Sequence, residues 1–369
     1  QLGDDAFTSD EMYQTMDLCV GCKGCKRECP TGVDMARMKT EFLHHYRDRH
    51  GLPLREKLFA YLPRYAHRFR NLSFLLNLRD SIPGFANLSE KLLGISASRP
   101  MPKWRRDQFR PFVEDAVVAA GEKEVVLLVD TFNGCFETEN ANAAMAVLSA
   151  AGYHVHCPSS VDRKRPLCCG RTFFSNGLLD EARLEATRML AALKPYVERG
   201  VPVVGLEPSC LLTLRDEYLS LMPGDATTAL AQQAMLFEEF LAAEHEAGRL
   251  DLALHAIDYK QALVHGHCHQ KAFATMKSLE TLLGLIPGLE VATIDSSCCG
   301  MAGSFGYEAE HYEMSMKMAN LSLLPAIDKA SDEVLLVANG TSCRSQIEHG
   351  AHRQALHVAR VLQMALQGH

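Results

Sequence analysis

No stretch of the 369 residues approaches the 18 or more consecutive apolar positions that a membrane-spanning helix needs, which excludes a helical membrane protein. There is no Gly-rich dinucleotide fingerprint, no phosphate-binding loop, no serine nucleophile elbow and no pair of carboxylates at a recognisable spacing. By motif, then, nothing in the chain binds flavin or moves hydride, and oxidation of an organic substrate would fall to a missing portion. No cleavable apolar segment precedes the first residue, so nothing points to an oxidising compartment. Position 1 is Gln rather than Met, and the chain is expected to be a piece of something longer.

Composition is that of a folded soluble protein, with 47% apolar and 22% charged residues. The net charge of -7 is unevenly spread. From Ala36 to Arg110 there are 16 Lys and Arg against 6 Asp and Glu, so that segment is +10 and the remainder -17. The basic side chains Arg47, Arg49, Arg55, Lys57, Arg64, Arg68 and Arg70 are interleaved with Leu58, Phe59, Tyr61, Phe69 and Leu72. Such a surface suits docking within the molecule or on a partner, with a peripheral contact on anionic lipid as the alternative. An acidic pI near 6.2 and the lack of a recognisable module argue against nucleic-acid binding.

Thirteen cysteines are too few for a disulfide scaffold and too clustered for core filler, so they read as metal sites in a reducing cytoplasm. Cys19, Cys22, Cys25, Cys29 and Pro30 spell C-x2-C-x2-C-x3-C-P, the bacterial ferredoxin spacing for a 4Fe-4S cluster. Zinc would favour two separated pairs. In two-cluster ferredoxins the last cysteine of such a run serves the other cluster, and no sister Cys-Pro is present here. Either that motif lies upstream, or all four cysteines of the run hold a single cluster.

Residues 1–49 read as a helix, a cysteine loop and a second helix, half of a ferredoxin domain. Residues 50–115 form an irregular, partly helical basic connector broken by Pro53, Pro63, Pro83, Pro100, Pro102 and Pro111. Thereafter strands at Val125–Val129, His154–His156, Val201–Leu206, Ala262–His265, Val291–Ile294 and Val334–Ala338 alternate with helix-length segments, the pattern of parallel sheets covered by helices. Cys135 to Cys268 and Cys210 to Cys343 are both 133 residues apart, while Cys168 to Cys298 and Cys169 to Cys299 are both 130. Each cysteine follows a strand, and Cys-Cys-Gly recurs at 168–170 and 298–300. The fold expected is therefore α/β, with two pseudo-repeated units at 116–250 and 251–369 whose cysteine loops meet at the carboxyl ends of the strands.

His265, His267 and His269 flank Cys268. If the strand continues, the imidazoles lie on one side and Cys268 on the other. Hydrogen-bonded packing is the preferred role for them over ligation or proton handling.

Cys135, Cys168-Cys169-Gly170 and Glu207-Pro208-Ser209-Cys210, followed by His267-Cys268-His269, Cys298-Cys299-Gly300 and Thr341-Ser342-Cys343-Arg344, resemble the duplicated cysteine-rich CCG domain. That domain occurs in one component of heterodisulfide reductase, in the glycolate oxidase iron-sulfur subunit and in one component of anaerobic glycerol-3-phosphate dehydrogenase. Leu18-Cys19, Lys23-Gly24-Cys25-Lys26 and Gly32-Val33-Asp34-Met35 resemble the C-terminal part of fused flavin and iron-sulfur proteins of the D-lactate or D-2-hydroxyglutarate dehydrogenase type. The heterodisulfide pattern ends each repeat in C-x2-C, whereas Glu207 and Gly340 stand at the first position of that pair here. Four cysteines per repeat suit a 4Fe-4S cluster, preferred, or a zinc ion in one repeat, with Glu207 as an added carboxylate. The resemblance implies an electron-transfer module of an FAD-dependent 2-hydroxyacid dehydrogenase. FAD would sit in an upstream region or a partner protein, and a quinone or other carrier would accept the electrons. The alternatives are a zinc-stabilised docking module or a heterodisulfide-type thiol enzyme. The expected location is the cytoplasm, or peripherally the inner face of the membrane.

Overall fold

The computed structural model describes residues 6–110, 121–162 and 164–368, and the expected border at 115 and 116 lies outside them. The N-terminal unit comprises α1 (Asp10–Asp17), α2 (Gly24–Glu28) and α3 (Met35–His50). Ser9 caps α1 by accepting from the Met12 amide, and Asp34 caps α3 by accepting from Ala36 and Arg37. Short α2 falls inside what the sequence reads as an uninterrupted cysteine loop. Lys23 starts it in the left-handed region, at a φ of 59°.

The connector is more helical than its prolines suggest. It forms α4 (Leu54–Tyr65), a 3-10 turn (Ala66–Leu72), α5 (Ser73–Ser81) and α6 (Phe85–Leu93). Pro53 precedes the first turn of α4 and Pro83 falls between α5 and α6, where no helical amide is needed. Pro63 sits in the last turn of α4 and removes one hydrogen bond there.

The first α/β unit runs β1 (Lys123–Leu128), α7 (Thr131–Cys135), α8 (Thr138–Ala150), β2 (Tyr153–His156), α9 (Arg171–Ser175), α10 (Leu179–Val197) and β3 (Val203–Gly205). It continues through α11 (Pro208–Arg215), α12 (Glu217–Leu221), α13 (Asp225–Gln233), β4 (Ala234–Leu236) and α14 (Phe237–Glu246). The second comprises β5 (Gln261–Val264), α15 (Cys268–Ala272), α16 (Met276–Leu283), β6 (Glu290–Thr293), α17 (Tyr312–Asn320) and α18 (Leu323–Asp328). It ends with β7 (Leu335–Val337), α19 (Thr341–Ala351), β8 (Ala355–Leu356) and α20 (Val358–Gln367). Both sheets are wholly parallel and share one topology, β2-β1-β3-β4 and β6-β5-β7-β8. The α/β expectation therefore holds, with β4 and β8 added to the six strands legible in sequence.

The two units share a core. α8 packs on α20 and α14 on α16, so that Val125, Leu127 and Val204 of one sheet and Val264, Leu335 and Val337 of the other belong to one apolar cluster. Val126, Leu128 and Val203 face a second cluster with Met189 and Leu211. Strands covered on both faces in this way must be apolar at successive positions, which is why they were readable as runs rather than alternations. Across the same interface the buried Arg344 guanidinium grips Glu137, with Nε 2.6 Å from Oε1 and Nη2 2.6 Å from Oε2.

The N-terminal unit is tied to the second α/β unit through His311. Its Nε2 lies 2.9 Å from Asp17 and its Nδ1 2.9 Å from Glu308. Burial opposes the charge, but the two carboxylates outweigh it and raise the imidazole to about 9. A folded pKa above the ordinary 6.5 stabilises the fold fully below 6.5 and loses that contribution as pH rises through 9. His311→Gln is therefore expected to lower stability by about 2 kcal/mol at pH 6 and by much less at pH 9.5. Urea midpoints at the two pH values measure this, and an equal loss at both would contradict a charged His311.

Candidate metal centres

In each sheet the first strand lies inside, with its successor on one side and the third strand on the other. The loops leaving the first and third strands diverge there, opening a crevice at the carboxyl ends. In the second unit all four cysteines reach it: Cys268 at the start of α15, Cys298 and Cys299 after β6, and Cys343 in the first turn of α19. Their thiols form a hydrogen-bonded chain from Cys268 to Cys298, Cys299 and Cys343. The Gly300 amide donates to Cys298 Sγ at 3.4 Å. Gly300 has a φ of 89°, and a Cβ there would overlap the Ser315 carbonyl, so the Cys-Cys-Gly turn accepts only glycine. Mutual hydrogen bonds and burial hold Cys268, Cys298 and Cys299 above the ordinary thiol range. Thiols packed this closely ionise together only when a cation compensates them, which is the donor chemistry of a metal or cluster site.

The first unit repeats part of this arrangement. Cys168, Cys169 and Cys210 form the same kind of chain, with the Gly170 amide 3.3 Å from Cys168 Sγ. The structure does not bring Cys135 to them. Its thiol packs with Ala66, Trp104 and Phe136, its charge interaction is with Asp130, and burial pushes it up to about 12. Glu207 is not free to act as the added carboxylate either. Oε2 accepts from the Thr341 amide at 2.8 Å and Oε1 from Ser209 Oγ at 2.8 Å, so it joins the N-termini of α11 and α19.

In the ferredoxin-like run, Cys22 interacts with Cys19, Cys25 and also Cys268 of the second unit. Cys25 Sγ accepts from the Met35 amide at 3.3 Å. Cys29 Sγ instead lies 3.1 Å from Thr31 Oγ1; that hydroxyl, with the Val33 and Thr31 amides, lowers it to about 7. Lys23, inside the run, is buried against Asp216 and Glu217 at the start of α12, with Nζ 2.8 Å from Glu217. Asp216 also takes Lys26 at 2.7 Å and Arg37 at 2.6 Å, fastening the run to the first unit.

The histidines do not continue a strand. β5 stops at Val264, and His267 caps α15 by accepting from the His269 amide. The alternation expected from sequence therefore fails. His269 Nε2 stands 3.1 Å from the Gly21 carbonyl, joining the run to the second unit. His265 Nδ1 lies 2.9 Å from Ser296 Oγ. Sequence reasoning gave Lys23 no role of its own, and only its burial and partners mark it, whereas His269 was expected to be a hydrogen-bonded packing residue. One cavity of about 260 Å³ is lined by Cys19 and Gly21 of the run, Arg171 of the first unit and Cys268, Cys298 and Cys299 of the second.

Comparison with known proteins decides the family. The family model described as "CCG: Cysteine-rich domain" matches residues 262–348. The C component of the anaerobic glycerol-3-phosphate dehydrogenase of Escherichia coli is 30% identical over 79% of this chain and 72% of its own length. The chain belongs to this cysteine-rich CCG family. A D-2-hydroxyglutarate dehydrogenase of Pseudomonas putida is 26% identical over 96% of this chain and 34% of its own length. The probable glycolate oxidase iron-sulfur subunit of Bacillus subtilis is 25% identical over 94% and 80%. This CCG chain thus spans about a third of the length of the D-2-hydroxyglutarate dehydrogenase it matches. Its CCG relatives are named as dehydrogenases or as parts of dehydrogenases and oxidases, which supports an oxidoreductase-related role and iron-sulfur binding for the family member described here. Among the described residues, no helix is long and apolar enough to cross a membrane.

Proposed function

We propose that this chain is the iron-sulfur electron-transfer module of an FAD-dependent 2-hydroxyacid dehydrogenase. It takes electrons from a flavin held by an upstream region or a partner protein and delivers them to a quinone or another carrier. The observation that carries the reading is the junction of the run with the second unit: Cys22 beside Cys268, Gly21 bonded to His269, and one cavity lined by thiols of both. A 4Fe-4S cluster supplies one-electron redox chemistry when bound, and here Cys19, Cys22 and Cys25 would hold it. The position of Cys29 suits service to a second cluster completed upstream. Cys268, Cys298, Cys299 and Cys343 would hold a second centre of this chain, and Cys168, Cys169 and Cys210 offer three thiolates for a third.

The chain's own contribution is positioning. Buried ion pairs fix the run, and amides aimed at Cys25, Cys168 and Cys298 stabilise sulfur charge and so tune potential. A seat in the cytoplasm, or peripherally on the inner face of the membrane, fits the α5–α6 hairpin, which exposes Phe74, Leu75, Phe85, Leu88 and Leu92.

The full chain, purified anaerobically, is expected to be brown, to carry iron and acid-labile sulfide, and to give a paramagnetic signal after dithionite. Cys22→Ser should remove the run's share of that signal. A colourless protein holding zinc and no iron would overturn the reading in favour of a structural module.

A further inference from the structure

We propose that His265 is a ligand of the second-unit centre, its Nε2 joining the Cys299 and Cys343 thiols beside it in a mixed nitrogen and sulfur donor set. The inference rests on the reading that those thiols hold a metal or cluster.

The placement of the imidazole carries it. His265 follows the last residue of β5 and is held there by its own amide, which donates to the Val337 carbonyl at 2.9 Å. Its ring is buried, and a ring nitrogen, Cys299 Sγ and Cys343 Sγ all lie within 4.8 Å of one another. The two ring nitrogens have different surroundings. Nδ1 lies 2.9 Å from Ser296 Oγ, which also receives Lys271 Nζ at 3.1 Å and has its own proton directed to the Ile294 carbonyl. With Lys271 donating to it and its own proton directed to the Ile294 carbonyl, Ser296 Oγ keeps a lone pair for an Nδ1–H of His265, and the proposal assigns the imidazole proton to Nδ1. Nε2 then presents a lone pair, and it has no partner among the described residues. A buried polar atom without a partner requires an explanation, and in a ring beside two thiols a shared cation is an obvious one. The serine bond is the outer contact that metal-bound histidines use to set tautomer and ring orientation.

The pseudo-repeat sharpens the point. The offset of 133 residues that pairs Cys268 with Cys135 pairs His265 with Phe132. In the first unit, where the ring is apolar, the lone cysteine packs beside Trp104 instead of joining its partners. Imidazole and the fourth thiol are thus present together in one unit and absent together from the crevice of the other. Imidazole adds no charge to a centre where a thiolate in its place would add one, so exchanging His265 for cysteine lowers the potential.

The test uses the full chain carrying ¹⁵N-labelled histidine, purified anaerobically, reduced with dithionite and studied by pulsed paramagnetic resonance. The wild type is expected to show coupling to a directly bound imidazole nitrogen. That coupling should vanish in His265→Phe and persist in His267→Gln and His269→Gln. His265→Cys, which keeps a donor, should retain the metal, lose the nitrogen coupling and shift the potential downward. Metal-loaded wild type without the coupling, or a coupling that survives in His265→Cys, would overturn the proposal. If Cys299→Ser leaves both metal content and spectrum unchanged, it is the underlying assignment of the thiols that has failed.

Discussion

Cys299→Ser is expected to strip the second-unit centre of its metal, whereas Cys135→Ala leaves the metal content of the chain unchanged. The two residues belong to corresponding clusters in sequence, and simple motif counting would give them equal weight. In the structure Cys299 is the middle of the thiol chain, bonded to Cys298 on one side and Cys343 on the other. Replacing its sulfur by a hydroxyl removes a soft anionic donor and breaks the continuity of the set. Loss of a supporting group around a metal commonly costs about 10- to 100-fold in affinity, so loss of a direct ligand should exceed that. Cys135 packs with Ala66, Trp104 and Phe136, and its truncation should cost about 1 kcal/mol of stability through lost packing. Iron and acid-labile sulfide per chain, with thermal midpoints, separate the two effects. Equal loss of metal in both variants would show that Cys135 reaches the centre.

Lys23→Met should destabilise the chain by about 3 kcal/mol and loosen the run from the first unit. The lysine is fully buried and faces Asp34, Asp216 and Glu217. Removing its ammonium leaves carboxylates in a dry environment, although Lys26, Arg37 and Arg171 still compensate part of their charge. The same group sets an acid limit. Burial would raise the Asp216 carboxyl, but Lys23 together with Lys26 and Arg37 outweighs it and lowers the pKa to about 2. A folded value below the ordinary 3.8 contributes stability that is complete above 3.8 and is lost as pH falls through 2. The penalty of Lys23→Met should therefore be largest near neutral pH and shrink towards pH 2. Urea midpoints across that range provide the measurement, and a penalty independent of pH would point to packing rather than charge.

Much of the candidate chemistry was legible along the chain because ligand spacing is a local property. C-x2-C-x2-C-x3-C-P places three thiols within one tight loop whatever follows it. The 130- and 133-residue offsets identify a duplication without any knowledge of its packing. Strands buried on both faces, such as β1, β3 and β7, announce themselves as apolar runs, and with the half-exposed β2 and β6 six of the eight strands among the described residues were readable. β4 and β8, at three and two residues, are too short to carry a pattern and exist because a neighbouring edge pairs with them. The connector was legible as partly helical but not where its helices end, because proline counts do not say whether a proline stands at a joint or inside a helix.

The sequence by itself determined the class of chemistry, the duplication and the α/β architecture, since these depend on residue type, spacing and period. Only the tertiary structure decided which thiols converge. The direction in which α7 carries Cys135, the termination of β5 before His265 and the use of Glu207 to join two helix ends all depend on what packs across the shared core. Chain-local rules do not extend to such contacts, which is why two repeats with the same four cysteines build unequal sites.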